Sequence, residues 1–113
     1  MIKNAIVLVP FPFDDFSTLK VRPALCLTSE IGSHEHVIIA FISSKISDDL
    51  LASDVLVRRT SNYWIRTGLS VDSVIRLHKI VTIPKSLIKR KLGTINEELK
   101  MLVCEKIKQL FDK

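Results

Sequence analysis

Three short stretches of this sequence place groups that can act on a phosphate ester. Strand alternation over Val71 to His78 sets Asp72, Val74, Arg76 and His78 on one face and the core-facing Val71, Ser73, Ile75 and Leu77 on the other. Arg76 and His78 then stand one pleat repeat apart, roughly 6.5 Å, so both side chains reach one phosphodiester. A guanidinium fork binds phosphate oxygens and an imidazole can give or take a proton near neutral pH, which together resemble half of a ribonuclease site. By residue type alone, His78 reads equally as a partly exposed strand histidine. Val21-Arg22-Pro23-Ala24-Leu25 supplies a second arginine. A proline biases the residue before it toward extended backbone, so Arg22 projects from a stiff strand; taken alone, it is a solvated charge beside an edge proline. Ser43-Ser44 closes an apolar run and offers hydroxyls that can orient a phosphate, but it lacks the Gly-x-Ser-x-Gly context of a nucleophile elbow.

The remaining reactive residue types carry less. His34 and His36 follow Gly32-Ser33 in a turn and read as surface histidines, with no third metal ligand in range. Asp14-Asp15 and Asp48-Asp49 read as turn-forming pairs. Tyr63 and Trp64, after Arg58-Arg59, can stack on a base or a protein partner, or fill one end of the fold. Cys26 and Cys104 lie far apart in apolar patterns, so buried, reduced thiols are expected, with neither a disulfide nor a structural metal.

The elements that must position these groups are mostly strands. Ala5 to Phe11, Val21 to Thr28 and His36 to Ser43 are apolar and β-branched; Ser53 to Arg59 alternates; Val71 to Ile83 is long enough for a bent strand or two short ones. Pro10 and Pro12 remove two donors from one edge, so that edge cannot continue a normal ladder and the chain leaves into a loop over Asp14 to Lys20. Pro84 to Lys91 reads as a short helix with Pro84 in its first turn. After it, Leu99, Leu102, Val103, Ile107, Leu110 and Phe111 recur at helical spacing, capped by a Thr94/Glu97 box or by Asn96. Short strands followed by one amphipathic helix imply a mainly β (α+β) fold, a small curled β-barrel with the helix plugging or flanking it.

Size and charge narrow the function classes. The 113 residues, 47% of them hydrophobic, fit one domain over 1–113 with one packed core. No apolar run approaches a bilayer span and the first residues begin a strand pattern at once, so a cytoplasmic protein is expected. Three glycines leave no phosphate-cradling loop, which argues against a nucleotide-binding α/β fold. The net charge of +5 is unevenly spread: residues 1–57 hold four bases against seven acids, and residues 58–113 hold thirteen against five. A cationic C-terminal half suits a polyanion such as nucleic acid, or an acidic protein chain.

Val9-Pro10-Phe11-Pro12-Phe13, Val21-Arg22-Pro23-Ala24-Leu25, Ile42-Ser43-Ser44-Lys45-Ile46 and Asp72-Ser73-Val74-Ile75-Arg76, in that order and followed by the terminal helix, resemble the MazF/PemK/Kid family of bacterial toxins. The resemblance spans essentially the whole chain. It implies an SH3-like barrel that forms a homodimer, cuts single-stranded RNA without a metal or cofactor, and is silenced by a small acidic antitoxin. It touches operator DNA only through the antitoxin complex and has no membrane role. Carried over, Arg22 matches the arginine implicated in stabilising the scissile phosphate, and Ser43 falls where many members have a threonine. Arg76 falls at the catalytic arginine of the Kid branch, and His78 where that branch has an aspartate implicated as base. Lys20, Pro23, Ser44 and Lys45 are the expected substrate-binding neighbours. The sequence departs from the pattern at His78 and at Asn4-Ala5, where many members have glycine and an acid.

The implied reaction is attack of an RNA 2′-hydroxyl on the adjacent phosphorus, leaving a 2′,3′-cyclic phosphate and a 5′-hydroxyl. Two arginines and a histidine can supply the charge compensation and proton transfer it requires. The competing reading is a non-catalytic binding module on the same fold. Such a module is either a gyrase poison like the related CcdB branch, whose Trp-Gly-Ile-like tail is absent from Leu110-Phe111-Asp112-Lys113, or a regulator that binds nucleic acid or antitoxin.

Overall fold

The computed structural model describes residues 2–11 and 20–112. Six strands form one sheet: β1 (Ala5–Phe11), β2 (Lys20–Cys26), β3 (His36–Ser43), β4 (Asp54–Val57), β5 (Ser73–Pro84) and β6 (Arg90–Thr94), followed by helix α1 (Glu97–Phe111). Their spatial order is β4-β5-β3-β2-β1-β6, and every pairing is antiparallel. The sheet curls into a half-barrel because its central strands are apolar on both faces. Ile6, Leu25, Ala40 and Ile42 face a core shared with Leu99 and Val103 of α1, while Val7, Ala24, Cys26, Ile39 and Phe41 face a second core closed by Val81, Ile83 and Ile88. No helix among the described residues is long and apolar enough to cross a membrane.

β5 is a single bent strand, and the bend is local. Ala40 pairs with Ile80, yet the next residue, Phe41, pairs with Arg76, so Leu77, His78 and Lys79 have no partner on β3. Leu77 turns into the core, and His78 and Lys79 are both exposed on this bulge. Buried Ile75 and Leu77 alternate with Arg76 and His78 as expected, and the alternation breaks at Lys79, which is exposed like His78.

The short helix expected over Pro84 to Lys91 is replaced by one 3-10 turn, Lys85–Leu87, and by strand β6. The physical reason is edge satisfaction: β1 needs a second neighbour, and Lys89 N–H donates to the Leu8 carbonyl (2.8 Å) as β6 runs antiparallel to it. That ladder ends at Leu8↔Arg90, two residues before Pro10, as the missing proline donors require. The expected loop from Asp14 onward, with Pro12, lies outside the described residues up to Lys20.

Asn96, not Thr94, caps α1: its Oδ1 accepts from Leu99 N–H (2.9 Å), and its Nδ2 donates to the Asn62 carbonyl (2.8 Å), tying the helix to the 3-10 turn Asn62–Trp64. Tyr63 and Trp64 on that turn pack half-buried against the α1 core, so they fill the end of the fold. Phe111, expected on the buried stripe, is 67% exposed at the last residue of α1. Cys26 is buried, its thiol pushed up to about 11 by burial and then by the Glu30 carboxylate. Cys104, expected to be buried, is on the solvent side of α1.

Candidate active site

The site is assembled by cross-strand register. Asp54 on β4 is opposite Arg76 on β5, Arg76 opposite Phe41 on β3, and Phe41 opposite Ala24 on β2, so these four side chains share one face in a transverse row. One pleat further along, Val74 is opposite Ser43, and extending the β2–β3 register sets Arg22 opposite Ser43. Arg22, Ser43 and Arg76 thus converge on one face from three neighbouring strands. With Lys45, Ser47 and Lys79 they line a groove of about 320 Å³. Four cations, Arg22, Lys45, Arg76 and Lys79, face this single groove, which makes it a strong attractor for a polyanion.

Each member is held by its local chain. Arg22 is kept extended by Pro23 and paired with Val9. Ser43 Oγ accepts from Lys45 N–H (3.1 Å), shaping the turn that brings Lys45 to the groove. Arg76 Nε lies 2.8 Å from Asp54 Oδ1, an ion pair in which neither atom makes an aligned hydrogen bond. The second Asp54 oxygen accepts from Leu51 N–H (2.9 Å), and the Asp54 carbonyl accepts from Lys106 Nζ (3.1 Å), so the carboxylate is anchored before it meets Arg76.

The structure brings together only part of the expected set. Arg22, Ser43, Arg76 and Lys45 line the groove. Pro23 and Ser44 line a second groove on the other side of Arg22. Lys20, at the outer end of β2 opposite Phe11, lines neither. His78 is exposed on the bulge and is absent from the groove lining, where its neighbour Lys79 appears instead. Sequence reasoning missed Lys79, because only the bulge turns it inward, and it missed Asp54. For Asp54 a signal existed: a lone acid opening an otherwise apolar strand, Asp54-Val55-Leu56-Val57. Its side chain is 2% exposed and that of Arg76 is 26% exposed, so their pairing is shielded on one side only. Asp54→Ala should lower stability by about 2 kcal/mol, read by urea unfolding, since it strands a half-buried guanidinium and the Leu51 amide.

Comparison with known proteins places this geometry. The sequence model of the PemK-like, MazF-like toxins of type II toxin-antitoxin systems matches residues 3–111. A search of curated proteins finds no match. Among solved structures, the Mycobacterium tuberculosis toxin MazF-mt6 superposes with a TM-score of 0.72 at 25% identity, covering 96% of each chain. An Mtb toxin superposes at 0.62 with 27% identity, over 78% of this chain and 90% of that one. A mycobacterial endoribonuclease, solved in complex with its cognate antitoxin, shares the fold at 0.70 and 9% identity, over 99% of this chain and 95% of that one. The curled sheet, the arginine-lined groove and a match running almost end to end have one meaning: this chain belongs to the PemK-like, MazF-like toxins of type II toxin-antitoxin systems.

Proposed function

We propose that this toxin is a metal-independent, sequence-selective endoribonuclease that cleaves single-stranded RNA by attack of a 2′-hydroxyl on the adjacent phosphorus. The observation that carries the reading is the convergence of Arg22, Arg76, Lys45 and Lys79 with the Ser43 hydroxyl on one groove. Bond formation from the 2′-oxygen to phosphorus and departure of the 5′-oxygen pass through a phosphorane bearing extra negative charge. Arg22 and Arg76, from different strands, stabilise that charge from two directions, and their forks bind non-bridging oxygens. Ser43 orients the phosphate, while Lys45, Lys20, Ser44 and Pro23 guide the flanking RNA. His78 is the proton-transfer group of this scheme. Because it sits on the bulge just outside the groove, the bound RNA must bring its 2′-hydroxyl to the rim. DNA lacks the nucleophile and is not cut.

The reading extends to partners. An acidic antitoxin is the cognate inhibitor, supported by the cationic half of the chain and by the antitoxin complex of the mycobacterial endoribonuclease. The toxin acts in the cytoplasm as a homodimer. The deciding experiment is incubation of the purified protein with single-stranded RNA in EDTA. The expected products carry 2′,3′-cyclic phosphate and 5′-hydroxyl ends, whereas intact RNA together with inhibited gyrase supercoiling would establish the binding-module alternative. His78→Ala is expected to lower kcat about 10²-fold and remove one limb of the pH-rate profile. An unchanged profile would move proton transfer to another group.

A further inference from the structure

The groove beyond Arg22 takes no part in the bond-breaking step, although its Pro23 and Ser44 flank the RNA path. It holds about 370 Å³ and shares Arg22 and Ile42 with the cationic groove, so the two meet at those residues. Their characters differ. The first groove is lined by four cations; the second is walled by Leu8, Leu69, Val71 and Leu92. On these apolar walls stand two hydroxyls, Ser44 and Ser70, and at the far side a single cation, Arg90. Register places Arg90 directly opposite Leu8 on β1, and Leu8 opposite Pro23 on β2. Arg90 is therefore two strand spacings from Pro23, roughly 10 Å, across an apolar floor. Among the described residues, the side chains of Ser44, Ser70 and Arg90 make no hydrogen bond or ion pair, and all three are exposed.

We propose that this second groove is a nucleoside subsite that selects the base next to the scissile phosphate, with Arg90 holding the phosphate beyond it. The inference rests on the ribonuclease reading and names which part of the surface reads sequence. Its chemistry matches a nucleotide. A flat base needs apolar walls on its faces and a few hydroxyl donors or acceptors at its edge, and a sugar-phosphate chain needs a cation on each side. Arg22 and Arg90 are those two cations, with the hydroxyls of Ser44 and Ser70 between them. An acidic peptide would need cations along the floor, where this groove has leucine and valine.

The test uses the full chain and two exposed substitutions, Arg90→Ala and Ser70→Trp, the second filling the groove. Binding is measured by fluorescence anisotropy with a random single-stranded RNA pool, 2′-O-methylated throughout so that no nucleophile is present. Base preference is read by sequencing the ends produced from an unmodified pool. Arg90→Ala should weaken binding about tenfold and reduce the slope of log affinity against log salt by about 0.7, the loss of one single-strand phosphate contact. Ser70→Trp should erase base preference on one side of the cut. Unchanged affinity and salt slope in Arg90→Ala, with unchanged preference in Ser70→Trp, overturn the subsite even if the wild type cuts RNA. Binding that depends on Arg90 without any cleavage overturns the ribonuclease reading and leaves the subsite standing. A groove that instead takes an acidic peptide would show Arg90-dependent binding of a polyglutamate peptide and no effect on RNA, which also overturns it.

Discussion

Replacing Arg22 by alanine is expected to slow RNA cleavage about 10³-fold while leaving the fold intact, the size of effect seen when one preorganised charge-stabilising donor is removed from a site. Among the described residues only Arg22 and Ile42 line both grooves, so Arg22 is placed to hold the phosphate at the junction where the proposed cleavage falls. Arg76 and Lys79 approach that point from β5, on the opposite wall of the first groove. Removing Arg22 leaves those cations to bind RNA, so the loss should fall on the chemical step, measured in single turnover at saturating RNA, more than on affinity. Arg22→Lys should recover only part of it, since an ammonium keeps the charge without the planar fork. Thermal unfolding monitored by circular dichroism separates this from misfolding. A loss below tenfold with normal unfolding would remove Arg22 from the centre of the mechanism.

Gly68→Ala is expected to destabilise the protein by about 4 kcal/mol. Gly68 has φ +74°, in the left-handed region that favours glycine, and a Cβ there would run into the Leu92 carbonyl of β6. The contact is reciprocal: a Cβ on Gly93 would meet the carbonyls of Arg66 and Thr67. Backbone therefore lies directly on backbone where β6 meets the loop before β5, and the Thr94 amide donates to the Arg66 carbonyl (2.8 Å) at the same place. The clamp forms one end of the second groove, whose lining includes both Gly68 and Leu92. Urea unfolding of Gly68→Ala checks the prediction; a change under 1 kcal/mol would mean that the loop shifts freely off β6.

Much of this was legible in the chain because it depends on local rules. The strands centred on Ala5 to Phe11 and His36 to Ser43 are short, continuous apolar runs rich in β-branched residues, the pattern of strands in a sheet buried on both faces. The terminal helix follows from its 3.6-residue stripe and its asparagine cap. β6 was not legible: Lys89-Arg90-Lys91 carries no apolar alternation, and it becomes a strand only because the outer edge of β1 requires a partner. Cys104 and Phe111 looked like core from their apolar surroundings but face solvent, since a neighbouring apolar residue in sequence does not fix which side of the helix packs on the sheet.

The sequence by itself determined the fold class, the family and four members of the cationic groove, Arg22, Ser43, Arg76 and Lys45, because each sits on or just after a strand whose alternation and neighbours can be read along the chain. Tertiary structure decided the rest. The bulge that turns Lys79 rather than His78 toward the groove arises from the shift in the β3–β5 register, and that shift is a property of two strands together. Asp54 meets Arg76 across a β4–β5 pairing separated by more than twenty residues of sequence, and Arg90 comes to Leu8 only through the added strand. Alternation says which way a side chain points within one strand; which side chains meet across strands is set by register, and register is settled only when the whole curled sheet closes over its two cores.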